Sequence, residues 1–210
     1  KLEKGFYEDL TEANKTSLAD VLEKYGKEKV PEKKSQDTPL YMIKKISNHS
    51  IGKLTLTNLT TFKLIKYRDE IASIRTKSTA NKYITLISVA LKTAINEWGI
   101  YLPKNPAYHV PRLEEKKKIT RILVNGEYDR LLPHASSSKL YFLKAMIIVA
   151  YESGARRGEL IKLLDRNVNW QKSTALLLDT KTNVDREIAL SPKAVEALRS
   201  APPTISGQFF

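Results

Sequence analysis

Apolar residues recur at helical spacing from Thr16 onward. In TSLADVLEKYGKEKV, Leu18, Val21, Leu22 and Tyr25 fall on one face behind a Thr16/Ser17 cap, which predicts a first helix of about three turns. Leu40, Ile43 and Ile46 predict a second, followed by a turn from Asn48 to Gly52. TLTNLTTFKLIKYRDEIAS predicts a third, with Thr57 or Asn58 as its cap. The fourth has the longest stripe: Ala80, Tyr83, Ile84, Ile87, Ala90, Leu91, Ala94, Ile95 and Trp98, begun at Ser78 and ended at Gly99. Residues 1–15 mix charges with isolated aromatics and read as a lead-in. Residues 16–100 therefore predict a compact all-helical domain.

The pattern then changes. Pro103, Pro106 and Pro111 stop any long helix, so 101–118 reads as a linker. Beyond it, LYFLKAMIIVAYESG is apolar nearly all round, which predicts a helix buried at the centre of a second domain over 119–210. STALLLDTKTNVDREIALS predicts two short antiparallel strands about a polar turn. SPKAVEALRS predicts a further helix capped by Ser191, with Pro192 at its first position. The expected fold is mainly α with a small antiparallel β element, and the second domain reaches Phe210 without an obvious finish.

Charge narrows the partner. Lys+Arg number 36 against 23 Asp+Glu, a net charge of +13 that calls for a polyanion, with nucleic acid ahead of an anionic membrane. No stretch approaches the roughly 18 apolar residues of a membrane span, and the N-terminus has no apolar signal core, so no membrane partner is expected. The absence of cysteine excludes disulfides and thiolate metal sites and suits a cytosolic protein. His49, His109 and His134 are scattered without metal spacing, so neither metal nor cofactor is expected.

SGARRGELIKL, residues 153–163, sets Arg156 and Arg157 between a turn signal and a helical run. ESGARRGEL, the hairpin with Lys181 in its turn region about 25 residues on, and Ser-Pro before a helix together resemble the catalytic domain of the tyrosine recombinases, the phage-integrase family. The resemblance extends over about 16–210. It implies that 16–100 is a helical, SAM-like core-binding domain that clamps DNA, and that 119–210 is the N-terminal part of an α+β catalytic domain. It also implies a site-specific DNA recombinase or integrase, acting without metal: a tyrosine hydroxyl attacks a phosphodiester, giving a 3′-phosphotyrosine and a free 5′-hydroxyl. By position Arg156 is the first catalytic arginine, Glu159 the supporting acidic residue and Lys181 the hairpin lysine, while Arg157 matches a variable position.

Chemistry suits those residue types. A guanidinium donates two hydrogen bonds to two phosphate oxygens and stays charged at any working pH. Lysine can protonate the leaving 5′-oxygen, which arginine does poorly. A carboxylate one helical turn from the arginine can fix its rotamer. In the resembling domains the start of the fourth helix faces DNA, which assigns Thr79, Asn81 and Lys82 to that contact, flanked by Arg75, Lys77 and Ser78. Lys116, Lys117, Lys118 and Arg121 are expected along the DNA backbone between the domains. The ordinary alternative for each basic run is a solvated face.

The family pattern further requires a His-x-x-Arg box and a downstream tyrosine nucleophile. All 10 tyrosines lie upstream of Arg156, so this polypeptide alone is expected not to cleave DNA. Two readings follow: an excerpt of a complete recombinase, tetrameric on double-stranded DNA and located in the prokaryotic cytosol or nucleoid, or a non-catalytic DNA-binding module that occupies recombination sites. The fragment without DNA is expected to be monomeric. The gene sequence beyond Phe210 separates the two.

Overall fold

The computed structural model describes residues 9–115, 121–178, 184–201 and 203–210. The chain divides into two compact units, Lys1–Lys118 and Ile119–Phe210.

The first unit is helical, with α1 Thr11–Lys15, α2 Leu18–Glu28, α3 Asp37–Ser47, α4 Thr61–Ile74 and α5 Lys77–Asn96. Ser17 caps α2 in a reciprocal arrangement: its hydroxyl accepts from the Asp20 N–H, and the Asp20 carboxylate accepts from the Ser17 N–H. Leu18, Leu22, Ile46, Leu56, Leu64, Tyr67, Ile87 and Leu91 build one core, so the stripes read from the sequence meet one another. Three boundaries differ. Residues 11–15, expected as lead-in, form α1 because Ala13 is fully buried. Helix α4 is capped by Thr60, since Leu56–Asn58 form a separate 3-10 turn in which Thr57 bonds Asn14 and Asn58 bonds Thr55. Helix α5 starts at Lys77 behind Thr76, whose hydroxyl accepts from the Thr79 N–H at 3.2 Å.

Residues 101–115 are not a free linker. Leu102, Ala107 and Val110 join the core of the first unit. Polar groups fasten the backbone between them: Asn105 Nδ2 donates to the Ser88 carbonyl at 2.9 Å, Thr61 Oγ1 to the Pro106 carbonyl at 2.9 Å, and Arg68 to the Pro111 carbonyl. The three prolines forbid a long helix yet leave an extended strap whose apolar side chains still need burial.

A single glycine sets the turn after α3. A Cβ at Gly52 would lie 2.4 Å from the Ile46 carbonyl oxygen and 2.8 Å from that of Ser47, and backbone atoms cannot swing aside. Gly52→Ala is therefore expected to destabilise the chain by about 3 kcal/mol, at the upper end for an overpacked site. Urea unfolding checks this, and a loss below about 1 kcal/mol would mean the turn relaxes freely.

In the second unit the helices are α6 Glu127–Ser136, α7 Leu143–Ser153, α8 Arg157–Ile161 and α9 Pro192–Ser200. The strands are β1 Val168–Asn169, β2 Thr174–Leu177 and β3 Arg186–Ala189, antiparallel in the order β1-β2-β3. Leu177 pairs with Arg186 and Thr174 with Ala189, so β2 and β3 are the expected hairpin, while β1 and α6 were not foreseen. Ser191 caps α9 by accepting from the Ala194 N–H, as its Ser-Pro start predicts. Helix α7 departs from the expectation of full burial: only Ala145 and Val149 are buried, and Tyr151 is exposed. The described residues cover one stripe of α7, chiefly through α9, rather than its whole circumference. Phe209 is fully buried against Leu160, Leu163, Leu177 and Leu198, so the chain's last residues belong to this core.

Candidate active site and nucleic-acid interface

The turn between α7 and α8 is built by small residues. Gly154 ends α7 with φ +65°, a left-handed conformation that favours glycine. Ser153 Oγ donates to the Val149 carbonyl at 2.6 Å and accepts from the Ala155 N–H at 3.2 Å, and Ala155 is buried. Arg156 follows in extended conformation (φ −72°, ψ 146°) just ahead of α8. Its side chain is 56% exposed.

Glu159 turns back from the first turn of α8 onto that arginine. Its Oε2 accepts the Arg156 backbone N–H at 3.0 Å, and its Oε1 accepts the Arg156 guanidinium at 2.8 Å. From the sheet, Arg186 at the start of β3 donates to Oε2 at 2.9 Å. The Glu159 side chain is 5% exposed, so one buried carboxylate holds two guanidinium groups that both reach solvent. Burial pushes its pKa up, but the bonds from the Arg156 N–H, the Arg156 guanidinium and Arg186 outweigh that and hold it at about 2. Two cations on one anion leave a net positive charge whose positions are fixed, a suitable receptor for a phosphate.

This pairing predicts a pH dependence. A carboxylate whose folded pKa lies below its unfolded value stabilises the fold above the unfolded value and loses that contribution as pH falls through the folded one. The stability advantage of the wild type over Glu159→Gln should thus be complete above about pH 5 and shrink towards pH 2, as read by denaturant unfolding of both chains. An advantage that does not change over that range would show that the ion pairs contribute nothing to stability.

Arg156 and Glu159 are therefore brought together, whereas Lys181 lies outside the described residues. The Arg157 side chain is exposed and makes no hydrogen bond or ion pair among the described residues. Arg186 is the member that sequence reading missed. Its signal was an arginine in the returning strand, but its partner follows only from the strand register.

On the first unit Arg75, Lys77 and Lys82 are exposed at and beside the start of α5, with Ser78 and Thr79 half-buried between them. Asn81, expected to face DNA, is instead 6% exposed and committed to the strap. Its Nδ2 donates to the Leu113 carbonyl and to Glu115 Oε1, both at 2.9 Å, and its Oδ1 accepts the Leu113 N–H at 3.0 Å. Bonds from Asn81 and Ser78 hold the Glu115 carboxyl below its usual range, so the Ser78 hydroxyl also has a partner within the chain. Arg121, in the second unit, is exposed and pairs with Glu127. Lys116, Lys117 and Lys118 lie outside the described residues.

Residues 121–202, which contain the Arg156, Glu159 and Arg186 cluster, match the model of the phage integrase family. This second unit is a phage-integrase domain. A shufflon-specific DNA recombinase of Escherichia coli is 27% identical over 204 residues, covering 93% of this chain and 53% of that protein. The chain thus spans about half the length of this curated relative. Among solved structures, a lambda integrase tetramer bound to a Holliday junction aligns with TM-score 0.74 at 19% identity, over 99% of this chain and 66% of that one. The Tn1549 transposon integrase in complex with a circular intermediate DNA aligns with TM-score 0.74 at 14% identity, over 88% of this chain and 64% of that one. At such identities the likeness to these integrases is one of fold. Among the described residues no helix is long and apolar enough to cross a membrane, and no cluster of three or more His, Cys, Asp or Glu is placed to hold a metal ion.

Proposed function

We propose that this chain binds double-stranded DNA and that the full-length protein is a site-specific recombinase working through a 3′-phosphotyrosine intermediate. The observation that carries the reading is the Arg156 guanidinium, held by a buried carboxylate inside a phage-integrase domain while its remaining N–H groups reach solvent. In this reading Arg156 clamps the scissile phosphate, Glu159 holds Arg156, and Lys181 protonates the leaving 5′-oxygen. The attacking hydroxyl belongs to a tyrosine of the full-length protein. Arg75, Lys77, Thr79 and Lys82 meet DNA at the start of α5, and Lys116, Lys117, Lys118 and Arg121 meet its backbone. Asn81 is left out, because its amide is already committed. The lambda integrase tetramer on a Holliday junction supports a tetrameric working assembly on DNA.

Binding tests the reading directly. The +13 balance implies release of several counterions, and about four phosphate contacts would lower affinity roughly a hundredfold between 50 and 200 mM salt. The measurement is fluorescence anisotropy of a labelled duplex at graded salt. Affinity that stays flat over this range would sink the DNA-binding reading, and with it the assignment of the α5 cations.

A further inference from the structure

We propose that Arg186 is a positioning residue for the strand-transfer chemistry: through Glu159 it fixes the guanidinium of Arg156 in the orientation presented to phosphate. This rests on the recombinase reading of the site. Geometry carries it. Arg186 and Arg156 approach one carboxylate from two different elements, β3 and the turn before α8: Arg156 donates to Oε2 through its backbone N–H and to Oε1 through its guanidinium, and Arg186 donates to Oε2. Arg156 alone would hold the carboxylate from one side only, through its backbone N–H on Oε2 and its guanidinium on Oε1, and nothing from the sheet would fix the plane of the carboxylate. The second guanidinium adds a charge-assisted bond on Oε2 from β3, which holds the carboxylate in place against Arg156. Among the described residues, the ion pairs of Glu159 are with these two arginines. Because Arg186 opens β3 opposite Leu177, the same bond also joins the base of the hairpin, on the side that leads to Lys181, to the start of α8.

Two readouts test the proposal, one of which needs no activity. In the 210-residue chain, the Arg156 Nε–Hε order parameter should be near the value of rigid groups, roughly 0.85, and should fall below about 0.6 in Arg186→Gln. Arg186→Lys, which still donates a charged bond, should restore most of the order and provides the folded control. In the full-length protein, Arg186→Gln should slow covalent adduct formation roughly tenfold at saturating DNA with duplex affinity nearly unchanged. The slowing should vanish when tested in a Glu159→Gln background, since a residue acting through Glu159 has no route left. Arg156 equally ordered in Arg186→Gln would overturn the proposal. So would a loss that persists undiminished in Glu159→Gln, because Arg186 would then contact phosphate itself. A wild-type protein that forms no adduct would fail the recombinase reading, while the order-parameter result would still decide the positioning role.

Discussion

In the full-length protein, Arg156→Ala is expected to abolish most covalent adduct formation, whereas Arg157→Ala should leave the rate at saturating DNA within about twofold. The two arginines are neighbours in sequence, and their surroundings set them apart. The Arg156 guanidinium is bonded to Glu159 at 2.8 Å while much of its side chain stays open to solvent; the exposed Arg157 side chain starts α8 with no partner among the described residues. Removing a preorganised charge-assisted donor from a phosphoryl-transfer transition state costs roughly 3 kcal/mol or more, about a hundredfold in rate. An unfixed surface cation must first be ordered by its ligand, and salt screens it. Its loss should appear, if at all, as a slightly weaker duplex affinity. Single-turnover adduct assays on both variants under saturating DNA remove binding differences. Equal losses, or a larger one at Arg157, would place the motif in the wrong register and dissolve the Arg156, Glu159 and Arg186 cluster as an active site.

How much of this was legible in the sequence depends on the range over which each feature is decided. The helices of the first unit were readable because an amphipathic stripe such as Ala80 to Trp98 is a local signal, and the core they share follows from it. The Arg156 and Glu159 pair was readable as a three-residue spacing, although its geometry is that of a helix start: Arg156 is extended ahead of α8, and Glu159 at the third helical position folds back onto its N–H and guanidinium. Arg186 was not, because its approach to Glu159 requires the β2–β3 register, in which Arg186 falls opposite Leu177. The strap was misread for a related cause. Proline content reports that 101–115 is not a long helix, but not that Leu102, Ala107 and Val110 find a groove of their own chain. The caps at Thr60 and Thr76 were displaced by two or three residues because several hydroxyls compete at each helix start; at α4 a long-range bond from Thr57 to Asn14 and a local one from Asn58 to Thr55 take those two side chains out of the competition.

Asn81 and Lys82 bring the same contrast to the first unit, where adjacent residues of α5 should fail in opposite ways. Asn81→Ala removes the donor to the Leu113 carbonyl, the acceptor for the Leu113 N–H and the donor to Glu115 in one step. Two half-buried backbone groups then lose their partners, and a penalty of about 2 to 3 kcal/mol in unfolding free energy is expected. Lys82 is exposed, so Lys82→Ala should leave stability within about 0.5 kcal/mol of wild type. In DNA binding the order reverses. Losing one phosphate contact at Lys82 should weaken affinity across all sequences and reduce the salt slope by about 1, whereas Asn81→Ala, assayed where it remains folded, should keep both affinity and slope. Hydrogen exchange adds a local readout, because the Leu113 amide is protected only while Asn81 accepts from it, and in Asn81→Ala it should exchange faster than the amides of the α5 interior. If Asn81→Ala instead unfolded like the wild type and lost duplex affinity with a shallower salt slope, the amide would be facing DNA as the sequence pattern first implied, and the strap would be held by its apolar residues alone.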